Sequence, residues 1–116
     1  MLSNTEKIDR NKVFVALADP NRRKIVELLH QKESTLLELS DHFSFSFQAL
    51  SKHIKILEKA SILHKKKEGK YRPLSLNRLA LREVLEWVSY YSNFWNESFD
   101  QLDELINQSR TDEDTE

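Results

Sequence analysis

The chain is 116 residues long, the size of a single domain, so one site or one surface has to carry its function. Eighteen basic residues against nineteen acidic ones leave a net charge of −1, which excludes a uniformly cationic coat for nucleic acid or an anionic membrane; any polyanion contact has to be local. Cysteine is absent, excluding disulfides, thiolate nucleophiles and cysteine zinc sites, while one glycine and two prolines favour a mostly helical fold.

No apolar run reaches the roughly 18 residues of a membrane span, and Met1–Asn11 lacks a signal-peptide core, so the expected location is cytoplasmic, without membrane contact. A first helix is predicted over Glu6–Ala18, with Ile8, Val13, Phe14 and Leu17 at roughly helical spacing. Asp19-Pro20 then supplies an N-cap followed by proline at the first helical position, and Ile25, Val26, Leu28 and Leu29 form the apolar face of a second helix. Thr35-Leu36-Leu37-Glu38 matches a capping box, opening a short third helix that ends near His42, with Leu36, Leu37, Leu39 and Phe43 as candidate core. Ser44-Phe45 is a turn. Ser46 caps a fourth helix over about 46–59, in which Phe47, Leu50, Ile54 and Leu57 make one buried stripe.

Outside that stripe lie Gln48, Ser51, Lys52, Lys55 and Lys59, a polar and basic face without a carboxylate. A short helix, a tight turn and an amphipathic helix with such a face is the helix-turn-helix layout, whose second helix enters the major groove by its N-terminal end. The residue types suit base reading: glutamine pairs with an adenine edge, the Ala49 methyl meets a thymine methyl, and lysine reaches guanine or phosphate. Taken alone, the same helix is equally an ordinary surface helix.

The next segment adds weight. Ile62–Lys67 and Tyr71–Leu76 read as two strands around Glu68-Gly69-Lys70, where the only glycine meets the demand of a hairpin tip for positive φ; Pro73 is expected to place the second strand at an edge. This basic hairpin, over about 62–77, is a wing. Charge is segregated to match: residues 46–72 carry eight basic side chains against Glu58 and Glu68, net +6, whereas residues 73–116 are net −7 and residues 1–45 are neutral. A charge run by itself is more often a solvated face; here it coincides with the two elements that a winged helix-turn-helix would be expected to turn toward DNA.

Leu79–Ser109 reads as a long last helix. Leu81, Leu85, Val88, Trp95, Phe99, Leu102 and Ile106 follow the 3 and 4 spacing of a heptad seam, and Val84, Trp87, Tyr91, Phe94 and Leu105 form a second stripe. One helix at the edge of a small domain does not bury both stripes. A symmetric homodimer is the leading explanation, ordinary core and an aromatic ligand pocket being the alternatives, and which stripe faces the partner stays open. The expected interface comprises Ile8, Phe14, Leu17, Leu81, Leu85, Val88, Tyr91, Trp95, Phe99 and Leu102. The domain is expected to span 1–110, followed by a frayed acidic tail over 111–116.

The chain resembles the ArsR-type winged-helix repressors. The resemblance rests on Ala16-Leu17-Ala18-Asp19-Pro20-Asn21-Arg22-Arg23-Lys24-Ile25-Val26-Glu27-Leu28-Leu29, on Ser46-Phe47-Gln48-Ala49-Leu50-Ser51-Lys52-His53-Ile54-Lys55-Ile56-Leu57-Glu58-Lys59-Ala60, and on Gly69-Lys70-Tyr71-Arg72 with Leu76-Asn77. It covers about 13–108 and is strongest toward the metal-independent autorepressor-like branch, whose last helix is rich in aromatics. It implies a mainly α fold with a small β-hairpin, a winged helix-turn-helix with terminal dimerisation helices. It also implies base contacts from Gln48, Ala49, Ser51 and Lys52, phosphate contacts from Ser46 and Lys55, and wing contacts from Lys70 and Arg72. Phe47 departs from the polar residue frequent at its position and reads as a core anchor in preference to a neighbour of the DNA.

The function expected is a homodimeric, sequence-specific regulator of transcription that binds double-stranded DNA at an inverted repeat; repression is the leading mechanism, with activation open. No cofactor and no metal are expected: where some relatives carry a Cys-x-Cys pair this chain has Thr35 and Leu37, the last helix has no histidine, and Glu38 with His42 makes only two ligands. His53 is open between a DNA contact and a structural one. Catalysis is not expected, since there is no glycine-rich phosphate loop, nucleophile elbow or His–carboxylate pair beside an activated nucleophile. The alternatives are a winged-helix module that binds protein, and a small-molecule-responsive regulator with an aromatic pocket.

Overall fold

Four side-chain caps set the frame of the first half of the chain, each satisfying backbone N–H groups that a helix start leaves open. In the computed structural model, which describes residues 7–67 and 70–114 (93 and 111–114 as backbone only), Asp9 caps α1 (Arg10–Leu17) and Asp19 caps α2 (Pro20–Gln31). Thr35 and Glu38 close a reciprocal capping box on α3 (Leu36–Ser40), and Ser46 caps α4 (Phe47–Lys59). The hairpin β1 (Leu63–Lys65) and β2 (Leu74–Leu76) follows, then α5 (Arg78–Asp114).

The predicted first helix is shorter than its apolar spacing suggested. It starts at Asp9, because that carboxylate accepts the Asn11 and Lys12 N–H groups and fixes the entry; Ile8 precedes the cap. Ile8 and Val13 occupy the two positions of a hydrophobic staple, and Ile8 packs on the core cluster that contains Val13. The part of that prediction at Glu6 lies outside the described residues.

The chain divides into two units, Met1–Val84 and Leu85–Glu116, where one was expected over 1–110. In the first, Ile25 and Leu29 of α2, Leu39 of α3, Leu50, Ile54 and Leu57 of α4, and Ile62, Leu63, Leu74 and Ala80 make one continuous core. Leu37, expected in that core, is 70% exposed: a five-residue helix turns only one edge inward, and Leu36 and Leu39 occupy it.

The strands are shorter than predicted. They pair antiparallel as Leu63↔Leu76, His64↔Ser75 and Lys65↔Leu74, and the ladder stops where Pro73 has no N–H to donate, although its carbonyl still accepts from Lys66 at 2.9 Å. β2 is an edge of a two-stranded sheet, as expected, but Pro73 is not inside it. It lies just before the strand, and Leu74 exchanges hydrogen bonds with Ser34 on the other side at 2.8 and 3.4 Å. The hairpin tip at Glu68-Gly69 lies outside the described residues.

The second unit is the helix from Leu85 onward. With neither glycine nor proline between Arg78 and Asp114, nothing breaks the helix, which continues through residues 111–114 where fraying was expected. Its aromatic residues meet at i, i+4: Trp87 packs edge-on to Tyr91 at 5.2 Å, and Tyr91 stacks on Trp95 at 5.5 Å. Leu85, Val88, Tyr91, Trp95, Phe99 and Leu102 are all exposed. None of the helices among the described residues is long and apolar enough to cross a membrane.

Candidate nucleic-acid interface

The start of α4 is fixed by Ser46, whose Oγ accepts the Ala49 N–H at 3.1 Å. Leu50, Ile54 and Leu57 anchor one side in the core. The opposite side presents Gln48, Lys52, Lys55 and Lys59 to solvent, with Ala49 and Ser51 half-buried. Among the described residues no carboxylate lies within ion-pair distance of Lys52, Lys55 or Lys59, so these ammonium groups are available to an external anion.

The end of the helix delivers the chain into the wing. Ser61 takes a left-handed conformation (φ 62°), the Ile62 N–H donates to the Leu57 carbonyl at 3.0 Å and the Ser61 N–H to that of Glu58 at 2.9 Å, a Schellman turn built on serine where glycine is usual. From the far strand, Asn77 donates through Nδ2 to the Ser61 carbonyl at 2.8 Å and through its backbone N–H to Ile62 at 2.7 Å. The Lys65–Glu58 ion pair, 3.9 Å, adds a weak tie, and His64 Nε2 meets Ser75 Oγ at 2.9 Å across the strands. Lys70 and Arg72 stand exposed on the returning arm.

His53 has structural contacts on both sides. Its ring packs against Phe45 of the turn at 5.5 Å, and its Nδ1 lies 3.3 Å from Arg22, which as a guanidinium can only donate. Arg22 is the residue that sequence reasoning missed. Its Nε donates to the Ala16 carbonyl at 2.7 Å and its Nη2 to the Val15 carbonyl at 3.3 Å while Nη1 faces His53, so one side chain closes the end of α1 and reaches α4. The only local signal was its i, i+3 spacing from Asp19, with which it forms a 4.0 Å ion pair.

Partial burial pushes the Asp19 carboxyl up, but the backbone N–H groups of Arg22 and Asn21, at 3.1 and 2.8 Å, and the Arg22 charge outweigh it and hold it below its ordinary 3.8. A lowered folded-state pKa stabilises the fold above the unfolded-state value and is lost as pH falls through the folded one. Asp19→Asn keeps an acceptor at the cap and removes the titration. The stability gap between wild type and this variant should therefore be present at neutral pH and close below about pH 4 in thermal denaturation; a gap independent of pH would contradict the assignment. For Glu38, the Thr35 backbone N–H and hydroxyl, both at 3.1 Å, lower the carboxyl in the same way.

Phe47 is a correction. Expected as a core anchor, it is 48% exposed and is not among the residues packed on the core. It occupies the first turn, ahead of Leu50, the first residue of α4 that is buried in the core. In the first unit, Ile8, Leu17 and Leu81 pack partly on their own core, and Phe14 is half-buried.

A family described as a helix-turn-helix domain matches residues 17–66, from the end of α1 through β1. The transcriptional repressor SdpR of Bacillus subtilis is 34% identical over 83 residues, covering 72% of this chain and 92% of that protein. This chain belongs to the ArsR-type winged helix-turn-helix family of transcriptional repressors. A crystal structure of an ArsR family transcriptional regulator superposes with a TM-score of 0.67 at 29% identity, covering 74% of this chain and 89% of that one. A solution structure of the homodimeric winged helix-turn-helix DNA-binding domain of a possible ArsR-family regulator from Mycobacterium bovis shares the fold, with a TM-score of 0.56 at 20% identity and coverage of 72% and 80%. As an ArsR-type protein the chain is a DNA-binding transcriptional regulator.

The metal-sensing chemistry of some ArsR-type proteins does not fit the side chains here. Thr35 and Leu37 offer no thiolate, and the Thr35 hydroxyl is engaged by Glu38. Among the described residues no group of three or more His, Asp or Glu side chains is placed to hold an ion.

Proposed function

We propose that the chain works as a homodimer that binds an inverted-repeat operator and represses transcription, without a metal signal and without catalysis. The observation that carries this reading is the cationic outer face of α4, capped at the end that enters a groove and tied at the other end to a basic hairpin. In this reading Gln48, Ala49, Ser51 and Lys52 meet base edges, Ser46 and Lys55 meet phosphates, and Lys70 and Arg72 meet the backbone beside the minor groove.

The dimer is supported by five apolar side chains exposed at heptad spacing, Leu85, Val88, Trp95, Phe99 and Leu102, with Tyr91 of the neighbouring stripe exposed beside them. Ile8, Phe14, Leu17 and Leu81 extend the proposed interface. A two-fold pair presents two reading helices about one DNA turn apart, and occupancy of a promoter then blocks polymerase. A cytoplasmic location accords with this role.

A gel-shift with the DNA upstream of the protein's own gene tests the proposal. Wild type should shift it at low salt. Lys52→Ala combined with Arg72→Ala should weaken binding, and loss of the Arg72 backbone contact should flatten the dependence of log affinity on log salt by about 0.9 per lost phosphate contact, about 1.8 for a dimer losing two. No shift by wild type at low salt, or a double variant with unchanged affinity and slope, overturns the proposal and favours a protein-binding module.

A further inference from the structure

We infer that Phe47 reads sequence, its ring packing against the C5-methyl of a thymine in each half-site, so that the bound DNA is chosen partly by an apolar contact. The inference rests on the DNA-binding reading of α4 and deepens it by naming a base feature.

A lone exposed apolar side chain is ordinary on a protein surface. The address of this one is not. Phe47 is the first residue of α4, beside the Ser46 cap, at the end that a reading helix directs into the major groove. Helical side chains lean toward the N-terminus, so the ring is carried forward, beyond the last turn held by the core. It lies one turn before Ser51 on the same edge of the helix, bordering the face of Gln48, Lys52 and Lys55.

The neighbouring chemistry narrows what the ring can meet. Phosphates are served by hydroxyl and ammonium groups at Ser46 and Lys55, for which a phenyl ring has no use. Among groove-facing atoms of the four bases, the thymine methyl is the apolar one, and phenylalanine is among the side chains that contact it. Ala49, which also meets a base edge in this reading, is half-buried and offers a single methyl, whereas Phe47 has nearly half of a large ring surface free at 48%.

The test uses the full-length protein and the duplex that it enriches from a random pool, measured by fluorescence anisotropy at fixed salt. Each thymine is replaced in turn by uracil, which removes the methyl and leaves the hydrogen-bonding edges unchanged. At one position in each half-site, wild type should lose about three- to fourfold in affinity, or about tenfold when both half-sites are changed, the scale of one buried carbon. Phe47→Ala should bind the unmodified duplex more weakly than wild type and be indifferent to that same replacement. Circular dichroism checks its fold, and the wild-type scan stands whether or not the variant folds.

If wild type enriches a sequence but no thymine in it is sensitive to uracil, or if Phe47→Ala remains as sensitive as wild type, the Phe47 role is overturned while the DNA reading survives. If wild type enriches nothing and binds no duplex, the DNA reading fails and takes this inference with it.

Discussion

Replacing Leu57 with Ala should remove about 2–5 kcal/mol of folding stability, the range for emptying a fully buried leucine site. Leu57 is 0% exposed and sits where α4 meets the core side of the turn into the wing. Its carbonyl accepts from Ile62, a bond alanine preserves, so the loss comes from the cavity and the forfeited contacts, not from the backbone. Against the total of about 5–15 kcal/mol typical of a domain, this is a large fraction. Urea denaturation should show a lower midpoint at unchanged slope. A loss under about 1 kcal/mol would mean that the core collapses around the site and that the register of α4 is not set by this stripe.

Combining Leu85→Asp with Trp95→Asp should give a monomer by light scattering and lower operator affinity by about 100-fold or more. A carboxylate held in an apolar interface loses its hydration without a partner, a penalty of several kcal/mol for each ionised group in each subunit. The operator loss follows because two half-sites joined through a dimer are bound in one event, and separation forfeits the effective concentration of the second. Both side chains are exposed within the chain, so the first unit should still fold, with its helical circular dichroism retained. A variant that remains dimeric would remove this face from the interface, and wild type that is monomeric at micromolar concentration would remove the dimer.

The parts of the fold that were legible in the sequence are those fixed within four residues. The Asp19-Pro20 start, the Thr35–Glu38 box and the Ser46 cap involve a side chain and backbone groups two or three positions on, and each forms where the residue types placed it. Misreadings arose where the outcome depends on what comes from elsewhere in the chain. Leu37 and Phe47 have the right spacing for a buried stripe, but no element covers them. The bridge on the free edge of β2 comes from Ser34, forty residues before Leu74, and nothing near Pro73 announces it.

The proposed interface divides along the same line. The outward set on α4 was legible because an amphipathic helix shows its solvent face by what its core face excludes. Arg22 was not, since its worth lies in reaching the last carbonyls of one helix and a histidine 31 positions later, a convergence only folding produces.

The turn at Ser61 makes helix and hairpin a single stiff piece, pinned from both sides by Leu57 and Asn77. In the proposed complex a protein so joined measures its target like a calliper: the interval between the groove assigned to α4 and the stretch assigned to the hairpin is set before any encounter. Adjustment is then left to the nucleic acid, and duplexes whose natural bend or groove width already matches that interval pay the smallest deformation penalty.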